Sequence, residues 1–222
     1  MVVITVKLFL MKLRNIKNIK FSPAYIFMII MSSQKKLLIA YSSLGGCTEE
    51  ITKKIGETIG VAANIDLVKV NDKDQFKKFN LDGLKTYDSV LLGSSIIVGK
   101  LNKNIHKLLE KLSKVKNDDL KLGIYACCMK ACSEEKINEA IQEYLKPSVE
   151  KYGLTFDLMD AFGGKADFSS NSTMNAIVKK VMKKNMLKDT PGLTEIEPKV
   201  YDFRDWDQIG RFASTWKEII TK

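Results

Sequence analysis

The chain has one histidine, His106, and four cysteines, Cys47, Cys127, Cys128 and Cys132. Cysteines this few and this irregularly placed do not make a secreted disulfide scaffold, and they point to a reducing cytoplasm. Cys127-Cys128-x3-Cys132 is not a zinc or iron–sulfur spacing, so no metal is expected. His106 falls on a predicted helix and reads as a surface or capping residue rather than a proton shuttle. Acids are missing from the first 31 residues, which carry Lys7, Lys12, Arg14, Lys17 and Lys20. In that segment the longest charge-free run, Phe21 to Gln34, is shorter than the roughly 20 apolar residues of a membrane span, and no small-x-small cleavage site follows it. Three readings of residues 1–33 stay open: an upstream translation start with the true one at Met28 or Met31, a weak membrane-surface anchor, or a poorly ordered tail. In each of them the segment is an extension outside the fold.

What is present is a globular chain of 222 residues, 45% hydrophobic and 28% charged, enough for one well-buried domain. The formal net charge is +10; without the first 31 residues, 31 cations face 26 acids. Half of the excess therefore lies outside the part that reads as folded, and no motif supports a nucleic-acid partner.

From Lys36 onward, strands and helices alternate. Short apolar runs predict strands at Lys36–Tyr41, Ile65–Val70, Asp88–Gly93, Lys121–Ala126 and Leu154–Phe162. Helical spacing predicts helices at Cys47–Gly60, about Gln75–Phe79, Asn102–Leu112, Ser133–Leu145 with a bend or stop near Pro147, and Trp206–Ile220 capped by Asp205. This is the pattern of a doubly wound α/β domain, residues 34–222, with a parallel sheet. Ligands of such sheets sit beyond the carboxyl ends of the strands, where the winding reverses.

Four loops fall at that edge. Ser42-Ser43-Leu44-Gly45-Gly46-Cys47-Thr48 feeds a helix N-terminus with hydroxyls and backbone amides, which suits a phosphate. It is neither a Walker loop nor the G-x-G-x-x-G dinucleotide fingerprint, and an ordinary tight turn is its bland alternative. Ser94, Ser95, Ile96, Ile97 and Val98 offer amides beside an apolar wall between Gly93 and Gly99. Ala126, Cys127, Cys128 and Met129 continue it with soft, polarisable side chains. Phe162, Gly163, Gly164 and Lys165 allow backbone to approach a ligand closely. Together they call for a ligand with a phosphate at one end and a planar, polar-edged ring at the other.

On these residues the sequence resembles the flavodoxin-fold FMN proteins. Leu38-Ile-Ala-Tyr-Ser-Ser-Leu-Gly-Gly-Cys-Thr-Glu49 is similar to their phosphate loop, with its hydroxyl and Gly-x-Thr positions on Ser43, Gly46 and Thr48. Leu92–Gly99, an insertion at about 165–200 before the last helix, and Tyr201-Asp-Phe-Arg-Asp-Trp-Asp-Gln-Ile209 resemble the flavodoxin-like protoporphyrinogen IX dehydrogenases of bacterial heme synthesis. The resemblance covers about residues 35–220. It implies a five-stranded sheet in the order 2-1-3-4-5 and FMN as cofactor. It places Ser43, Leu44, Gly45, Gly46, Cys47 and Thr48 at the phosphate. Ser94 to Val98 would lie on one side of the isoalloxazine, Ala126 to Met129 on the other, and Phe162 to Lys165 near the same mouth. It also implies an oxidoreductase that passes electrons from a reduced tetrapyrrole through FMN to a quinone. An electron carrier docking on redox partners, with no substrate chemistry of its own, is the alternative. Neither ring-flanking loop contains an aromatic residue, and the domain is basic where flavodoxin carriers are usually acidic.

Within the insertion, Met174, Ile177, Val178, Val181 and Met182 are spaced to share one helix face, with Lys179, Lys180, Lys183, Lys184 and Lys188 on the rest. The bland reading is a packed helix with a solvated basic face. The functional one is a cover that touches an anionic membrane surface or an acidic substrate. The cysteines are expected to be small apolar filler, although the fold would bring Cys47 and Cys127 onto neighbouring loops.

Overall fold

The computed structural model describes residues 34–115, 119–172, 174, 176–189, 192 and 194–222. The N-terminal segment and Asp118, whose pairing with Asp119 reads in the sequence as solvated charge, lie outside them.

β1 (Lys35–Ser42), β2 (Ala63–Lys69), β3 (Ser89–Ser95), β4 (Lys121–Cys128) and β5 (Leu158–Gly163) form one sheet in the order β2-β1-β3-β4-β5, every pair parallel. The last six residues of β1 and the first six of β3 are buried without a break, as expected of strands covered on both faces. Register carries the chemistry to one edge. Ser42 lies opposite Ser94, and Ser95 lies opposite Cys127.

Side-chain alternation divides the sheet between two cores. Leu38, Ala40, Val90, Leu92, Leu122, Ile124 and Ala126 face one way, against Ile105, Leu108, Leu109 and Leu112 of α3 (Lys103–Val115). On the other face Leu37, Ile39, Leu91, Tyr125, Cys127 and Phe162 pack against α1 (Cys47–Ile59) and α7 (Trp206–Thr221). α1 contributes Ile51, Ile55 and Ile59, while α7 contributes Ile209, Phe212, Trp216 and Ile220. α7 starts at Asp205, whose carboxylate accepts from the amides of Asp207 (2.8 Å) and Gln208 (3.0 Å). α2 (Lys73–Lys78) opens in the same way at Asp72.

The helix expected over Ser133–Leu145 is α4 (Glu134–Ala140) running through a π-helical turn, Ile141–Leu145, into α5 (Lys146–Glu150). Pro147 therefore bends the helix rather than ending it. The wide turn just before it accommodates a residue with no amide hydrogen to donate.

The insertion contains a small fold of its own. β6 (Lys165–Asp167) and β7 (Val200–Asp202) pair antiparallel, and α6 (Ala176–Asp189) lies between them in sequence. Ala166, Phe168, Met186 and Ile196 form a third core, with Met129, Met182, Tyr201 and Phe203 packed against it. The apolar face expected on α6 is corrected here. Met182 and Met186 point inward, whereas Ile177 (74% exposed), Val178 and Val181 are turned outward. The partners inside are aromatic rings and Ile196, and the two flexible thioethers fill the irregular space between them better than β-branched side chains do.

Candidate cofactor site

The helices leaving β1 and β3 lie on opposite faces of the sheet, α1 on one and α3 on the other. Their connecting loops therefore diverge beyond the strand ends, the place where sheets of this kind hold a ligand in a cleft.

On the β1 side, Ser42 and Ser43 are buried while Leu44 (69% exposed) and Gly45 project outward. Asn71, just past β2, clamps the loop. Its side-chain oxygen accepts from the Ser43 amide and its side-chain nitrogen donates to the Ser43 carbonyl, both at 2.9 Å. Gly46 is the N-cap of α1 in the left-handed conformation (φ 81°) and has no side chain to cap the helix, as no other residue could do without strain. The positive helix end thus faces the cleft. Thr48, 1% exposed, makes no hydrogen bond through Oγ1, although that oxygen is close enough to the Cys127 sulfur to favour its ionised form.

On the β3 side, Ser94 is consumed by structure: its hydroxyl accepts from the Asn102 amide (3.1 Å) and donates to the Ser95 carbonyl (3.0 Å). Ser95 Oγ is buried and has no partner. The Ile96 amide is bonded to the Cys127 carbonyl (3.0 Å). Ile97 and Lys100 exchange two backbone hydrogen bonds around a tight turn that forces both central residues to positive φ. Gly99 (72°) accepts this at no cost, but Val98 (50°) is β-branched and strained there. The strain holds Val98, 91% exposed, at the rim beside Ile97.

On the third side, Ala126 and Phe162 bury their side chains in the two main cores, so only their backbone can face a ligand. Cys128 turns to the face opposite Cys127, and burial pushes its thiol up to about 11. Met129 and Gly164 touch; a Cβ at Gly164 would lie 3.1 Å from the Met129 sulfur.

Charge at the mouth is balanced by Lys165, which the sequence reading placed there, together with residues to which it assigned no role. Glu50, in the first turn of α1, accepts from Lys165 Nζ (2.7 Å) and from Arg204 Nη1 (2.6 Å). Arg204 also binds Asp202 and stacks on Trp206 at 4.5 Å, with only 5% of its side chain exposed. Lys165 and then Arg204 hold the Glu50 carboxyl below the usual carboxylate range, and Arg204 does the same for Asp202. Glu49 is paired likewise with Lys69 (2.7 Å) and Lys53 (3.1 Å). Glu49 and Glu50 would otherwise leave the first turn of α1 negative, and these four cations offset them. Arg204 and Asp202 lie in the closing stretch that carried the resemblance, but the meeting of Arg204 with Glu50, 154 residues away, has no local signature.

Cys47 and Cys127 bring their sulfurs to 3.2 Å. The hydrogen bond from Cys127, the Arg204 charge and the Lys165 amide lower the Cys47 thiol, while Cys127, bonded to Cys47 and buried, is raised. Among the described residues no cluster of three or more His, Cys, Asp or Glu could hold a metal ion, and no helix is long and apolar enough to cross a membrane.

The chain is similar to known proteins at three levels. An uncharacterized protein of Methanocaldococcus jannaschii is 35% identical over 79 residues, 36% of this chain and 47% of that protein, so the match spans about half the relative's length. A flavodoxin from the domain Archaea superposes with a TM-score of 0.48 at 15% identity, over 84% of this chain and 99% of that one. Fusobacterium nucleatum flavodoxin bound to flavin mononucleotide gives 0.46 at 13%, over 83% and 98%. Rubredoxin oxygen:oxidoreductase of Desulfovibrio gigas gives 0.46 at 12%, over 88% and 39%. The flavodoxin domain family matches residues 38–215, most of the chain and every strand of the parallel sheet, and the protein belongs to that family.

Proposed function

We propose that the cleft holds FMN and that the protein is a flavin-dependent oxidoreductase. The observation that carries this reading is a pair of buried, unpartnered hydroxyls, Thr48 Oγ1 and Ser95 Oγ, one in each of the two diverging loops. Burying an unsatisfied hydroxyl costs about 1–3 kcal/mol, and a ligand supplying two partners removes that cost. The residues fit the group. Ser43, Thr48 and the first amides of α1 would hold the phosphate, in space left open at Gly45, where an added Cβ would have no heavy atom within 4 Å. Ser95 and the Val98 backbone would meet the polar edge of the ring, since the Ile96 amide and both Ile97 backbone groups are already bonded, with Leu44, Ile97 and Val98 as its apolar cover. Bound FMN supplies one- or two-electron chemistry. The chain's part is to hold it, to exclude water with the exposed aliphatic rim and to keep the helix end electropositive through Lys165 and Arg204.

The finer reading is dehydrogenation of a reduced tetrapyrrole, protoporphyrinogen IX, with a quinone as acceptor. What supports it is the outward face of α6, where Lys180 and Lys184 are exposed among Ile177 and Val181. Such a face suits an anionic membrane surface, where quinones reside, and basic residues near the mouth suit propionates. Lys179 and Lys183 serve less well than the sequence suggests. Lys179 reaches the Ser172 carbonyl (3.5 Å), and Lys183 covers the Phe168 ring (5.8 Å).

Titration of FMN into the flavin-free protein, followed by quenching of flavin fluorescence, tests the cofactor. Thr48→Val should weaken binding about tenfold, the worth of one hydrogen bond to a charged group, without lowering apoprotein stability. Equal affinity in this variant refutes the phosphate assignment. Anaerobic oxidation of protoporphyrinogen with a quinone tests the reaction, and a flavin-loaded protein without turnover is an electron carrier. Loss of binding to anionic vesicles in Lys180→Glu/Lys184→Glu tests the membrane contact.

A further inference from the structure

The pair Cys47–Cys127 is not explained by filler packing. Its two sulfurs are closer than the roughly 4 Å of ordinary van der Waals contact, and they come from residues 80 positions apart on different elements. They also differ in access. Cys47 is the first residue of α1 at the mouth and is half-buried, whereas Cys127 is 6% exposed at the end of β4. We propose that Cys47 and Cys127 are a thiol–disulfide exchange pair, Cys47 attacking and Cys127 resolving, whose oxidation draws the phosphate loop toward β4 and weakens FMN binding.

The geometry supports the division of roles. A helix N-terminus and a neighbouring guanidinium stabilise a thiolate, and Cys47 has both, the guanidinium being that of Arg204. Cys127 keeps its proton more tightly because it is buried and bonded to Cys47. It is also the less accessible of the two. Neighbouring cysteines do not compete: Cys128 follows Cys127 in a strand and so faces the opposite core, and Cys132 ends the 3₁₀ turn Lys130–Cys132 that follows the strand.

The oxidant is a low-molecular-weight disulfide, R–S–S–R. The Cys47 thiolate attacks one of its sulfurs, forming Cys47–S–S–R and expelling RS⁻. The Cys127 thiol gives up its proton to that thiolate and attacks Cys47 Sγ, so that the Cys47–Cys127 bond forms and a second RS⁻ leaves and is protonated by solvent. Two protein thiols lose two electrons, and one small disulfide becomes two thiols. A disulfide bond of about 2.05 Å requires the sulfurs to close by about 1 Å. Cys47 sits between the N-cap Gly46 and Thr48, so this movement displaces the amides and the hydroxyl assigned to the phosphate. The effect on flavin rests on the FMN reading above; the thiol chemistry does not.

The test uses the full chain carrying Cys132→Ser, treated with 2-hydroxyethyl disulfide, then subjected to thiol counting under denaturation and intact-mass analysis. Three thiols should fall to one, with a mass loss of two hydrogen atoms and no adduct. Adding Cys127→Ser should trap the mercaptoethanol adduct on Cys47, and adding Cys47→Ser should leave Cys127 and Cys128 unreacted. Three surviving thiols, or an adduct on Cys47 that persists with Cys127 intact, would overturn the pair. FMN titration of the reduced and oxidised forms should differ at least severalfold, and equal affinities would overturn the coupling. Absence of FMN binding in both forms would count against the cofactor reading, with the thiol result unaffected.

Discussion

A methyl group added at Gly163 has nowhere to go. A Cβ there would lie 1.9 Å from the Phe203 carbonyl oxygen and 2.6 Å from its carbon, where real contacts stay above about 3 Å. The obstacle is backbone, so no rotamer change relieves it. The segment after β7 must retreat by more than about 1 Å, and the Phe203 amide leaves the Gly164 carbonyl it now reaches at 3.0 Å. Overpacking costs about 1–3 kcal/mol and the hydrogen bond about 1. For a domain of this size, about 2–4 kcal/mol lowers the melting temperature by roughly 4–16 °C. Arg204 is the next residue, so its grip on Glu50 loosens as well, and FMN affinity should fall with stability. Gly164→Ala is the control. The only tight contact of its Cβ is the flexible Met129 thioether at 3.1 Å, which can turn aside for under about 1 kcal/mol, the Cys128 backbone lying at an ordinary 3.6 Å. Scanning calorimetry on the flavin-free proteins checks both. A Gly163→Ala melting temperature within about 2 °C of the parent, or a larger loss in Gly164→Ala, refutes the reasoning.

Val98→Asn should stabilise the protein by about 1 kcal/mol in urea denaturation, because asparagine tolerates positive φ where valine is strained. Gly93→Ala would place a Cβ 2.4 Å from the buried Tyr125 hydroxyl and disturb its bond to Thr52; a lower urea midpoint, by about 1–3 kcal/mol, is expected. Glu50 and Asp202 have folded-state pKa values below their unfolded ones. Their contribution to stability is therefore complete above the unfolded carboxylate values near 4, and is lost as pH falls through the folded ones. Melting temperatures measured from pH 5 down to pH 2.5 should show a decline that Arg204→Met flattens.

The sheet was readable because each of its strands is a short apolar run ending in small or turn residues. Lys36–Tyr41 became Lys35–Ser42 and Lys121–Ala126 became Lys121–Cys128. The fifth strand starts four residues later than expected, at Leu158, because Leu154–Asp157 approaches the sheet as a connection. The loop between β1 and α1 was legible as a loop for the same local reason: Ser43, Gly46 and Thr48 are neighbours in sequence. What escaped were contacts made by tertiary closure. Glu50 reads as an ordinary acid in a helix first turn until Arg204 and Lys165 arrive from the far end of the chain. Asn71 looks like loop filler until its amide is seen against the Ser43 backbone. α6 misled because periodicity reports which residues can share a face. It does not report which face meets Phe168 and Ile196.

Lys165 pairs with Asp202 across β6 and β7, so the 36 residues between them leave and rejoin the domain at a single point. An excursion closed at its base can come apart without parting the sheet it springs from. Amide hydrogens of α6 should therefore exchange with solvent deuterium through a local opening, orders of magnitude sooner than those of β1, β3 and β4, which wait for the whole domain.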